Sequence, residues 1–207
     1  MSEKMLTRTV LALGIILLLC TGCSVSRHPM RTTVKRLQKE RPSDDSSFIY
    51  ELPFPKNKTY RVIQGYFSRY THRERAALDF NLKKGDTITA ARGGVVIRVK
   101  QDGRRGGLNR KYRKEGNHII LEHDDGSRAG YWHLQYQGAL VEPGDTIGTG
   151  HPIARSGKTG YALTPHLHFL VWKYEKGIWQ QVPTPFRTHR GIRYLRSWKR
   201  YRRPKSI

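Results

Sequence analysis

From Glu51 to Val182 the chain is interrupted by turn signals every few residues. They stand at Lys84-Gly85-Asp86, Asp124-Asp125-Gly126, Pro143-Gly144-Asp145 and Ser156-Gly157-Lys158-Thr159-Gly160. Glycine supplies the backbone angles that tight turns require, and Asp or Ser closes a turn by bonding to its own backbone. Between these signals lie short runs with strand character: Arg61–Phe67, Ala77–Asn81, Thr87–Lys100, His118–His123, Gly130–Leu134, Pro152–Ala154, Leu167–Tyr174 and Ile178–Val182. Many short strands, frequent turns and no long helical period predict an all-β fold, a compact antiparallel β-sheet domain. The stretch is long enough for one hydrophobic core and shows no internal repeat. A basic, Gly-rich insertion from Gly103 to Lys114 separates two strands and is expected to be an exposed loop.

Sulfur cannot hold this domain together. Both cysteines, Cys20 and Cys23, precede it, so it has neither a disulfide nor a thiolate metal site. They follow Lys4, Arg8 and the apolar run Val10–Leu19, which is short for a membrane span and reads as a secretory signal over residues 1–22. Cys20-Thr21-Gly22-Cys23 resembles the lipobox of bacterial lipoproteins. That resemblance implies cleavage before Cys23, a lipid on its sulfur and attachment to a membrane. Residues 23–50 are polar, with Ser, Pro and charge, and read as a tether with a short helix around Thr33 to Lys39.

The chain carries 39 Lys and Arg against 16 Asp and Glu, a formal net charge of +23. Such a charge signals polyanionic surroundings. Nucleic acid would answer to charge alone, but a secreted lipoprotein meets anionic envelope polymers and lipid headgroups instead. The segment 183–207 reads as a basic tail, with nine Lys or Arg and no acid from Arg187 onward. Ile192, Leu195 and Trp198 recur every three residues there, which suits either a surface-seeking amphipathic helix or a solvated tail.

Three segments carry the chemistry. In His166-Leu167-His168 the two imidazoles can share one face of a strand. Asp79 lies between Leu78 and Phe80 and therefore faces away from them, where His72 on the preceding loop can fold back beside it. In Tyr131-Trp132-His133-Leu134 a histidine ends an apolar strand. Two imidazoles and a carboxylate suit Zn²⁺ and leave one position open, as in catalytic sites. Spacing alone does not say which of His166 and His168 binds metal.

In this order, and with Val141-x-x-Gly144-Asp145-x-Ile147-Gly148 and the run Ile153–Gly160 between them, the segments resemble the lysostaphin-type, or β-lytic, zinc endopeptidases of peptidoglycan. The resemblance covers roughly residues 61–174. It implies zinc ligands His72, Asp79 and His168, with His133 and His166 in catalysis and zinc in a groove of the β domain. Tyr131 and the Thr159-Gly160 loop are expected to border the substrate. His118, His123, His151 and His189 match no functional position. The implied activity is hydrolysis of peptidoglycan stem-peptide cross-links. An outer-membrane, periplasm-facing setting points to a D,D-endopeptidase. Some relatives lose ligands and act instead as binding activators of other wall hydrolases, but here all five positions are filled.

Overall fold

The computed structural model describes residues 26–40 and 48–205, so the signal segment and Cys23 lie outside the described residues. Among these residues one α-helix, α1 (Met30–Leu37), precedes the strands. In chain order these are β1 (Tyr50–Glu51), β2 (Thr59–Gln64), β3 (Ala77–Phe80), β4 (Thr87–Thr89), β5 (Gly94–Lys100), β6 (His118–Glu122), β7 (Arg128–Trp132) and β8 (Leu134–Ala139). There follow β9 (Thr146–Ile147), β10 (Pro152–Ser156), β11 (Leu167–Glu175), β12 (Ile178–Val182), β13 (Phe186–Thr188), β14 (Gly191–Arg193) and β15 (Arg200–Arg202). The fold is all-β, as expected.

The main sheet runs β15-β2-β3-β11-β7-β6-β5-β9, and β12 pairs with the far half of β11. A second sheet is β4-β10-β8 and a third is β1-β13-β14. The pairings are antiparallel except for β1 with β13, a parallel contact.

Strand alternation positions the site. Leu78 and Phe80 of β3, Leu167, Phe169 and Val171 of β11, and Ala129 and Tyr131 of β7 are all buried in one core. Phe169 lies at its centre, with ring centroids 5.2 Å from Tyr131, 5.7 Å from Phe186 and 6.1 Å from Tyr50. The intervening residues must then face the other way. Register places His168 opposite both Asp79 and Trp132, and Trp132 opposite His118. One cross-strand row therefore reads Asp79, His168, Trp132, His118.

The expected strand Thr87–Lys100 is two strands in different sheets, because residues 90–93 leave β4 and turn into β5. The insertion holds a 3₁₀ turn, Arg110–Glu115, and is pinned rather than loose. Gly106 bridges to Gly160, and the buried Asn117 side chain both donates to and accepts from Gly103.

Two boundaries need correction. The basic tail is part of the folded body: β15 extends the main sheet beside β2, and Phe186, Ile192 and Leu195 are buried. No helix forms over 192–201, since Ile192 and Leu195 point inward whereas Trp198 is 66% exposed. The segment 26–40 is likewise docked, not a free tether. Val34 of α1 is buried, Ser26 Oγ donates to Arg73 O at 2.5 Å, and Gln38 Nε2 donates to Leu195 O at 2.6 Å.

Arg203 fastens the C-terminal end. Its side chain is 4% exposed, and its Nη1 donates to Phe54 O and Thr89 Oγ1, both at 2.9 Å. Its Nε lies 3.7 Å from Glu51, whose other oxygen meets Arg187 at 3.1 Å. Burial pushes the Glu51 carboxyl above its ordinary range in spite of both guanidiniums. Removing one of them leaves a poorly compensated buried carboxylate. Arg203→Ala is expected to cost about 3 kcal/mol in a denaturant titration, on the scale for breaking buried ion pairs.

Candidate metal centre

His72 ends a 3₁₀ turn, Tyr70–His72, and is fully buried. Its Nδ1 lies 3.1 Å from Gly65 O. A carbonyl only accepts, so Nδ1 carries the hydrogen and Nε2 keeps its lone pair. That Nε2 is 3.2 Å from Asp79 Oδ1 and 3.2 Å from His168 Nδ1, and the latter two atoms are 2.7 Å apart. His72, Asp79 and His168 are all buried. The other Asp79 oxygen, Oδ2, accepts from Gln64 Nε2 at 2.9 Å.

These donors fit zinc. Lone-pair atoms converging inside a protein need a cation between them. Bonds of about 2.0–2.1 Å in a tetrahedral shell would hold the donors about 3.3 Å apart, close to the two His72 separations of 3.2 Å, with the Asp79–His168 pair shorter at 2.7 Å. The protonation states suit ligation as well, since metal ligands must be deprotonated. Burial alone would raise the Asp79 carboxyl, but the adjoining His72 and His168 imidazoles hold it well below the carboxylate range. Burial lowers the His168 imidazole, outweighing the neighbouring Asp79 carboxylate that would raise it.

His133 and His166 stand beside this cluster, their rings 4.6 Å apart. His133 is 5.8 Å from the His168 ring, and His166 Nε2 is 3.9 Å from Asp79 Oδ1. His133 Nδ1 donates to Thr159 O at 2.7 Å, and His166 Nδ1 donates to Thr164 O at 2.8 Å. Both rings therefore keep Nε2 free to accept a proton. Burial, followed by the neighbouring His166 and His168, pushes His133 down to about 3, so it is neutral at neutral pH. The carbonyl that orients it belongs to a turn closed by Gly160, at φ +84°. A Cβ on Gly160 would come within 2.7 Å of Gly116 Cα and 3.5 Å of His133 Nδ1.

The two residues expected to border the substrate do not. Tyr131 is fully buried, its hydroxyl accepting from Ala91 N at 2.8 Å. Thr159 Oγ1 is spent inside, accepting from Asn117 N at 3.0 Å and donating to Leu134 O at 2.7 Å. Tyr131→Phe is expected to lower stability by about 1–3 kcal/mol, the cost of an unsatisfied buried amide, with kcat/KM unchanged; paired thermal melts and peptide assays check this. Of the histidines without an expected role, His118 stacks on Trp132 at 5.3 Å and His123 is buried with Nδ1 on Gly93 O. His151 and His189 are exposed.

Sequence reasoning missed Gln64 and Trp132. Gln64 enters by register, opposite Asp79, and nothing in its neighbours marks it. Trp132 was legible, since it alternates with Tyr131 and must face away from the core.

Among curated proteins, the peptidoglycan DD-endopeptidase ShyB of Vibrio cholerae is 30% identical over 125 residues, 57% of this chain and 26% of that one. Lysostaphin of Staphylococcus simulans is 31% identical over 112 residues, 53% of this chain and 20% of that one. An uncharacterized metalloprotease of Buchnera aphidicola is 31% identical over 134 residues, 61% of this chain and 32% of that one. The chain thus spans a third or less of the curated relatives it matches. A solved structure of lysostaphin from Staphylococcus simulans aligns with a TM-score of 0.47 at 27% identity, over 66% of this chain and 52% of that one. The sequence profile of peptidase family M23 matches residues 72–180, from the first histidine of the centre past the last, and by that match over half its length the chain belongs to peptidase family M23.

Proposed function

We propose that this chain is a zinc-dependent endopeptidase that hydrolyses the stem-peptide cross-links of peptidoglycan, acting as a D,D-endopeptidase. The observation that carries the reading is the assembled set: three converging donors beside two imidazoles whose Nε2 atoms are free. Similarity to a chain named as a peptidoglycan DD-endopeptidase supports the substrate.

His72, Asp79 and His168 would hold the zinc, which when bound supplies Lewis-acid polarisation of a peptide carbonyl and of a water. Gln64 fixes the Asp79 carboxylate so that Oδ1, not Oδ2, faces the centre. Either His133, oriented by Thr159 O, or His166 can accept the proton of the attacking water at Nε2. His166 presents Nε2 to the same space, and once protonated either ring can donate to the oxyanion or to the leaving amine.

Cys23 as a lipidated residue, and an outer-membrane position facing the periplasm, complete the proposal. They rest on the signal-like N-terminal sequence. No helix among the described residues is long and apolar enough to cross a membrane.

The test is digestion of purified sacculi by the zinc-loaded chain from residue 23 onward, with fragments identified by mass. Conversion of cross-linked dimers to monomers at the D,D bond is expected, and chelation should stop it. Intact sacculi, or cuts confined to glycan bonds, would overturn the proposal.

A further inference from the structure

The end of α1 and the C-terminal strands enclose a cleft of about 310 Å³ that shares no residue with the metal centre. Six cations line it: Lys39, Arg190, Arg193, Arg196, Lys199 and Arg200. Tyr194 and Tyr201 form part of the wall, and no acid does. Two of the guanidiniums are held by main-chain carbonyls, Arg193 Nη2 on Arg190 O at 3.1 Å and Arg196 Nη2 on Gln38 O. The side chains of Lys39, Arg190, Lys199 and Arg200 have no hydrogen bond or ion pair among the described residues.

Gathering like charges around one cleft works against folding unless an anion joins them. The guanidinium fork matches the oxygens of a phosphate. Between Arg196 and Lys199 in the chain, outside the cleft lining itself, stands Trp198, 66% exposed, at the left-handed φ of +66° that few non-glycine residues adopt. Its amide is pinned to Val62 O at 2.6 Å, which fixes the bend that presents the indole to solvent. An outward indole next to a cluster of cations is the pairing that settles at the headgroup level of a membrane.

We propose that this cleft binds the phosphate groups of an anionic lipid surface, with Trp198 entering the headgroup layer. The indole favours lipid over a soluble phosphate, which would offer it nothing to enter.

The test uses the chain from residue 23 onward carrying Cys23→Ser, which retains every described residue and excludes any acyl contribution. It is expected to co-sediment with phosphatidylglycerol-containing vesicles and not with pure phosphatidylcholine. Arg190→Gln with Lys199→Gln and Arg200→Gln should weaken that binding by about 100-fold at low salt, on the scale of roughly fivefold per cation. Trp198→Ala should weaken it too, and the parent's indole emission should shift to the blue on vesicles. Peptide cleavage should be unchanged in all variants. Should the triple variant melt early, the exposed pair Lys39→Gln with Arg200→Gln reads the same effect. Equal vesicle binding by parent and variants would overturn the proposal. It would also fall if inorganic phosphate saturated the cleft while vesicles did not bind, or if the substitutions impaired binding to sacculi but not to vesicles.

Discussion

The His168→Ala protein is expected to keep its fold, to carry almost no zinc and to hydrolyse no peptide bond. The fold survives because Leu167 and Phe169, on either side, remain in the core, while His168 faces the other side of the sheet. Metal binding does not survive, because two donors remain of three, one of them a carboxylate that has lost its 2.7 Å neighbour. Asp79→Ala and His72→Ala should behave alike. Gln64→Ala is expected to be milder, at about 10- to 100-fold in zinc affinity, as for partners that only orient a ligand. Zinc content by mass spectrometry, beside near-ultraviolet circular dichroism, separates lost metal from lost structure. Full zinc in folded His168→Ala would remove that residue from the centre.

His133→Ala and His166→Ala should divide the two roles, retaining zinc while losing turnover by roughly 10²- to 10⁴-fold, the range for positioned acid–base groups. Neither ring is among the three converging donors, and both hydrogen-bond through Nδ1 to main-chain carbonyls. His133 also sits at φ +65°, where an alanine is strained. His133→Asn, which tolerates that region, therefore controls for backbone effects. If the imidazoles share one proton path, the double variant should lose little more than the worse single one, because groups acting as a unit are not additive. Normal turnover in both single variants would sink the mechanism, and a metal-free protein from either would move that histidine among the ligands.

Much of this was readable from alternation. Leu78, Phe80, Leu167 and Phe169 mark a buried face, which forces Asp79 and His168 onto the opposite one. What could not be read came from breaks in the pattern or from remote partners. Strand spacing puts Tyr131 and His133 on one face, yet β7 ends at Trp132 and the left-handed turn at His133 swings its ring into the site while Tyr131 stays in the core. The strands β1, β13, β14 and β15 are two or three residues long, too short to show alternation, and β1 and β15 pair with strands far away in sequence. The three-residue spacing of Ile192, Leu195 and Trp198 suggested a helical face, but it was set by turns.

The docking of Ser26 has a consequence for reach. Its hydroxyl is bonded to the carbonyl of Arg73, the residue after His72, and the His28 ring stacks on Phe67 at 4.1 Å. With the proposed anchor at Cys23, three residues separate lipid from folded protein, a leash of about 10 Å at full extension. Were the segment released as far as Phe48, the leash would be 25 residues, about 80–90 Å. Whether the centre grazes the membrane or sweeps a layer many times deeper thus turns on a helix with one buried side chain, Val34, and a few hydrogen bonds. The contact that would set this working radius ends one residue from His72 of the candidate metal centre.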